Sequence, residues 1–70
     1  MSSMILNPLR LYRRRKRLRR EALEEAHYLR RRHGADALRA AREQLRRPDL
    51  TTWGEQVLRR TIKLLRRDEF

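Results

Sequence analysis

The chain has 70 residues, of which 20 are Lys or Arg and 9 are Asp or Glu, for a formal net charge of +11. That length limits it to one small domain, too short for two lobes with a cleft between them, and the lack of cysteine excludes a disulfide framework, a thiolate metal site and a thiol nucleophile. At 39 % hydrophobic it is more apolar than a disordered polyelectrolyte, yet no apolar run approaches the ~18 residues that span a bilayer.

The punctuation predicts an all-α, three-helix mini-domain with helices over about 8–33, 35–47 and 53–67. Asn7-Pro8 places an N-cap residue before a proline at the first helical position. Nothing then breaks the helix before His33-Gly34, where glycine is free to adopt the left-handed conformation. Arg30, Arg31 and Arg32 suit the negative end of the helix dipole. The second helix has Asp36 in its first turn and is stopped by Pro48. The third opens at Thr52, where Thr52-Trp53-Gly54-Glu55 has the spacing of a capping box, and ends near Arg67, leaving Asp68, Glu69 and Phe70 as a fraying tail.

Helical spacing also predicts the core. At ~100° per residue, Leu18, Ala22, Ala26 and Leu29 fall on one stripe with Leu23 on its flank. The second helix offers Leu38, Ala41 and Leu45, with Ala37 alongside; the third offers Trp53, Val57, Leu58, Thr61, Ile62 and Leu65. Leu50 sits in the turn between them, and Trp53 is read as the largest core residue, given the area an indole buries.

The charge is lopsided. Residues 1–20 hold Arg10, Arg13, Arg14, Arg15, Lys16, Arg17, Arg19 and Arg20 and no acid, whereas residues 21–70 read as an ordinary mixed-charge surface with a net +3. Eighteen of the twenty basic residues are arginine, a bias that a GC-rich genome also produces, so the clustering carries more weight than the choice of arginine. The first helix would be about 39 Å long by its 1.5 Å rise, twice the second. A short hairpin of the second and third helices covers only residues 18–33 of it. The chain therefore divides into a basic arm, 1–20, that projects, and a mini-domain, 21–70.

Density of one sign persists best beside an anion. The leading expectation is a non-enzymatic module whose Arg10, Arg13, Arg14, Lys16, Arg17, Arg19 and Arg20 contact the phosphates of RNA or DNA. The arm has no Asn or Gln to recognise adenine and no aromatic platform beyond Tyr12, so base-specific reading is not expected. The alternative is an anionic membrane surface or a larger protein complex met through residues 4–20, with Met4, Ile5, Leu6, Leu9 and Tyr12 as the apolar contact. A solvated charged face is the plain reading of the same run. A homodimer pairing along Leu11, Leu18 and Leu29 is a further option. A helix-turn-helix fits loosely, but Trp53 and Gly54 occupy the end where base-reading side chains belong.

Other chemistry is weakly represented. Glu24-Glu25-Ala26-His27 holds one Glu-x-x-His spacing where a di-iron bundle needs two, so the acids are read as partners of Arg20 or Arg30. His33 is read as hydrogen-bonding the last helical carbonyls, and no nucleophile pattern or glycine-rich phosphate loop is present; neither enzyme activity, a cofactor nor a metal is expected. A secretory signal is not expected because the apolar residues precede the charges, while removal of a mitochondrial transit peptide would split a continuous helix, so the cytoplasm is the expected compartment. Leu11-Tyr12-Arg13 resembles the tripeptide that names the LYR family of small, basic, helical accessory proteins. The resemblance is confined to those three residues, lacks the family's later phenylalanine, and no function is carried over from it.

Overall fold

The computed structural model describes residues 8–68, and these are all-α with no strand among them. Helix α1 spans Pro8–His33, a single 3-10 turn follows over Gly34–Asp36, then α2 over Ala37–Leu45 and α3 over Thr52–Arg67. The first boundary falls where the sequence places it: residues 8–33 are mostly Leu, Arg, Ala and Glu, all good helix formers. Gly34 ends the run at φ +56°. A Cβ at that position would meet nothing within 4 Å, so the backbone conformation, and not crowding, calls for glycine. Because the 3-10 turn leads straight into α2, the helical path from Pro8 to Leu45 bends at Gly34 without an intervening coil. The second helix is shorter than expected, 37–45 instead of 35–47: the 3-10 turn takes up 35–36, and at the other end Arg46 and Arg47 donate three residues back, to the Glu43 and Gln44 carbonyls, in a turn.

The cap of α3 lies one residue earlier than the spacing suggests. Thr51, in an extended conformation, is the N-cap, and its side chain accepts a hydrogen bond from the Gly54 N–H at 2.9 Å. This puts Glu55 one position too far along to close a capping box, and its carboxylate pairs with Arg59 instead. At the other end Asp68 is no fraying tail. It is the C-cap in the left-handed region, its N–H donating to the Leu64 carbonyl. Glu69 and Phe70 lie outside the described residues.

Contacts fix the directions of the helices. Glu21 meets Trp53, the Ala22 carbonyl meets Thr61, and Arg30 meets Leu65 and Asp68. Positions advance together along α1 and α3, so the two run the same way, and α2 returns between their ends. The core is Ala22, Ala26 and Leu29 of α1, Ala37 and Ala41 of α2, and Leu58 and Leu65 of α3. Leu38, Leu45, Leu50, Ile62 and Leu64 pack half-buried against it. Ala22 and Ala26 let α3 approach closely enough for Thr61 to be fully buried. The Thr61 hydroxyl donates to the Val57 carbonyl at 2.8 Å, with the Ala22 carbonyl at 3.3 Å, and among the described residues no buried side-chain polar atom lacks a hydrogen-bond partner.

Three expected core residues are displaced. Leu23 is 37 % exposed, because α1 buries the Ala22–Ala26–Leu29 stripe and not its flank. Trp53 and Val57 are half-buried beside the core, not within it. Arg30 acts as a tie across the molecule's far end: it donates to the Gly34 carbonyl at 3.1 Å, to the Leu65 carbonyl at 3.4 Å and to the Asp68 carboxylate at 2.9 Å. These bonds replace both the α1 acid expected to pair with Arg30 and the role assigned to His33, which lies exposed.

Candidate nucleic-acid interface

Leu9 to Arg17 are exposed without exception, and burial along α1 begins only at Leu18. The helix nevertheless continues unbroken through this stretch. At 100° per residue, Arg13, Lys16 and Arg20 share a sector of roughly 60° that points away from Ala22, Ala26 and Leu29. Arg19 stands on one flank beside Tyr12. Arg10, Arg14 and Arg17 stand on the other, toward the start of α3. Among the described residues, Arg13, Arg15, Lys16, Arg19 and Arg20 form no ion pair.

Arg14 and Arg17 meet α3 through Trp53. The Arg17 guanidinium lies 5.4 Å from the indole ring centroid and that of Arg14 lies 5.8 Å away, both over its face. The indole Nε1–H donates to Glu21 Oε1 at 2.8 Å, while Arg17 Nε donates to Glu21 Oε2 at 2.8 Å. Both carboxylate oxygens are thus engaged. The indole hydrogen bond is the main cause holding the Glu21 carboxyl below its ordinary range, followed by the Arg17 hydrogen bond; the charges of Arg17 and Arg20 add to it, and desolvation opposes it. Trp53, read from the sequence as core, therefore joins the arm to the domain and orients two of its arginines. The lone tryptophan at the start of α3 was the available signal, but its partners 32 and more residues upstream are set by tertiary packing.

Other predicted contact residues are distributed along the same arm. Leu9 is 63 % exposed, Leu11 55 % and Tyr12 61 %. Met4, Ile5 and Leu6 lie outside the described residues. Of the strip suggested for pairing two first helices, Leu29 is fully taken up by the chain's own core and Leu18 is half-buried, which leaves Leu11. The turn between α2 and α3 does not present a recognition helix, since Trp53 at the start of α3 faces Glu21 and the arginines of α1.

Folding also sorts charges that look mixed in the sequence of residues 21–70. Glu21, Glu24 and Glu25 gather with Arg20, Tyr28 and Val57 along an open groove between α1 and α3. Arg42 of α2 and Arg59, Lys63 and Arg66 of α3 gather around Leu45 and Ile62 in a shallow depression of about 460 Å³. Among the described residues, no group of three or more His, Asp or Glu side chains is placed to hold a metal ion, and no helix is long and apolar enough to cross a membrane. Comparison with protein-family models finds no matching family, and comparison with curated proteins and with solved structures finds no match to the chain.

Proposed function

We propose that this protein is a small non-enzymatic module that grips nucleic-acid phosphates through the basic N-terminal half of α1, which projects from the domain, without reading base sequence. One observation carries the reading: Arg13, Lys16, Arg19 and Arg20 are exposed and, among the described residues, free of ion pairs. They stand on a continuous helix whose other half is packed into the core. A preformed rod of this kind presents its cations to a phosphate backbone without first ordering a flexible chain, so less binding energy is lost to conformational entropy. Arg14 and Arg17, stacked on Trp53, hold the base of the rod against α3. The arm offers no amide side chain to pair with a base edge, which leaves counterion release as the main driving term.

Fluorescence anisotropy with a labelled duplex and with a structured RNA tests this directly. Binding is expected at micromolar concentration or tighter near ~50 mM salt and is expected to collapse by ~200 mM. Replacing Arg13, Lys16, Arg19 and Arg20 by Gln removes four cations, so the slope of log affinity against log salt should fall by about 3–4. An affinity and slope unchanged by that variant overturn the assignment.

A second reading draws on the exposure of Leu9, Leu11 and Tyr12. Three apolar side chains among cations suit an interfacial contact with an anionic membrane or docking within a larger complex. Cosedimentation with anionic vesicles, lost when Leu9, Leu11 and Tyr12 are all replaced by Ser, supports the membrane form of this alternative; binding to vesicles that survives the replacement refutes it.

A further inference from the structure

We propose that the depression between α2 and α3 is a second phosphate-contact surface, so that one copy of the protein bridges two segments of nucleic acid. The proposal rests on the reading of α1 as a phosphate-binding arm and extends it to a surface that the sequence alone conceals. The return of α2 beside α3 places Arg42 with Arg59, Lys63 and Arg66 around half-buried Leu45 and Ile62.

Among the described residues, Arg42, Lys63 and Arg66 form no ion pair, while Arg59 shares its charge with Glu55 at 2.9 Å. A neighbouring depression lined by Lys63, Arg66 and Arg67 carries the positive surface farther round α3. Asp68, which follows on the same helix, is engaged by Arg30 and does not neutralise these side chains. The apolar floor matters as well. Half-buried leucine and isoleucine displace water beneath the cations, and a charge beside a low-dielectric surface attracts a phosphate more strongly than one fully in solvent.

Position gives the surface its consequence. No residue of α1 lines the depression, whereas the outward sector of Arg13, Lys16 and Arg20 lies on the face of α1 turned away from the core. Because α1 and α3 run the same way, the arm extends past the start of α3 at Trp53, while Lys63 and Arg66 sit in the last turns of α3. The two cationic surfaces therefore face apart and lie toward opposite ends of a molecule measuring 48 × 28 × 15 Å. Two such surfaces on one small body hold two separate strands or duplexes, with sequence-independent contacts at each.

The test uses two short duplexes, one with a donor and one with an acceptor dye, mixed with the full-length protein at low salt. Wild-type protein should produce energy transfer between them. The triple variant R42Q/K63Q/R66Q changes only exposed residues; it should keep its circular dichroism and its anisotropy binding to a single duplex, while transfer falls by about tenfold or more. An equal-charge control, R31Q/R32Q/R46Q, should retain transfer. Transfer unchanged in the first variant, or reduced equally in the control, overturns the second surface. So does a wild-type protein that binds one duplex through α1 but never brings two together. If the wild type binds neither duplex, the reading of α1 itself fails, and the bridging proposal fails with it.

Discussion

Two leucines on α1, six residues apart, provide the sharpest test of how this domain is held together. Leu29 is fully buried, whereas Leu23 is 37 % exposed. Truncating a fully buried leucine to alanine removes its transfer free energy and leaves a cavity, at a cost of about 2–5 kcal/mol. A domain of this length has a total stability of roughly 4–10 kcal/mol, from ~0.05–0.15 kcal/mol per residue, so Leu29→Ala removes a large part of it. Leu23→Ala loses only partial burial and gains a little helix propensity, for a net cost of about 1 kcal/mol or less. In a domain this small each kcal/mol moves the melting temperature by ~4–8 °C. Circular dichroism melts should therefore show Leu29→Ala at least about 10 °C below wild type, or unfolded at room temperature, and Leu23→Ala within a few degrees of it. Equal losses, or a greater loss at Leu23, would mean that α1 packs on a different face and that the core described above is wrong.

Two further perturbations probe the ends of the hairpin and the Trp53 junction. Gly54→Ala should destabilise although alanine is worth about 1 kcal/mol more than glycine inside a helix, because the new Cβ would lie 3.0 Å from Thr51 Oγ1 and 3.1 Å from Leu50 Cδ1. The collision disturbs a cap itself worth about 1 kcal/mol, so a urea midpoint above wild type would show that the cap and Leu50 yield freely. Glu21, whose carboxyl is depressed in the folded chain, contributes stability that is present above the ordinary glutamate pKa and is lost as pH falls through the depressed folded value. The indole N–H resonance of Trp53 should accordingly stay constant from neutral pH down to the ordinary glutamate range and shift only below it. A shift centred at or above that range contradicts the assigned hydrogen bond.

Much of the fold was legible because helix boundaries here are written in single residues. Pro8 and Pro48 each restrict the backbone and Gly34 frees it for the left-handed conformation, effects that do not depend on tertiary context, and the long α1 followed from the absence of any breaker between the first two. The apolar spacing on α1 located its buried stripe, but Leu23 and Ala22 are adjacent in sequence. Which flank is buried depends on how α3 crosses α1, and that is decided by the small side chains under Thr61. The cap of α3 was ambiguous for a simpler reason: Thr51 and Thr52 are adjacent and carry the same capping hydroxyl, so residue type does not choose between them. The exposed cations of α1 could be read directly as a run. The cluster of Arg42 with Lys63 and Arg66 could not, since Arg42 lies on a different helix from the other two and joins them only when α2 and α3 fold against each other. Trp53 lay beyond reach for the same reason, as its partners belong to a helix more than thirty residues away.

The position of Trp53 has a consequence for how the protein can be observed. It is the single tryptophan of the chain, and it lies where the free end of α1 meets the rest of the domain, with two guanidinium groups over its ring and an ionised carboxylate on its nitrogen. Its emission is therefore an internal optical gauge of that one location: whatever draws Arg14 or Arg17 toward another anion alters the colour and brightness of the indole, and no dye need be attached to see it.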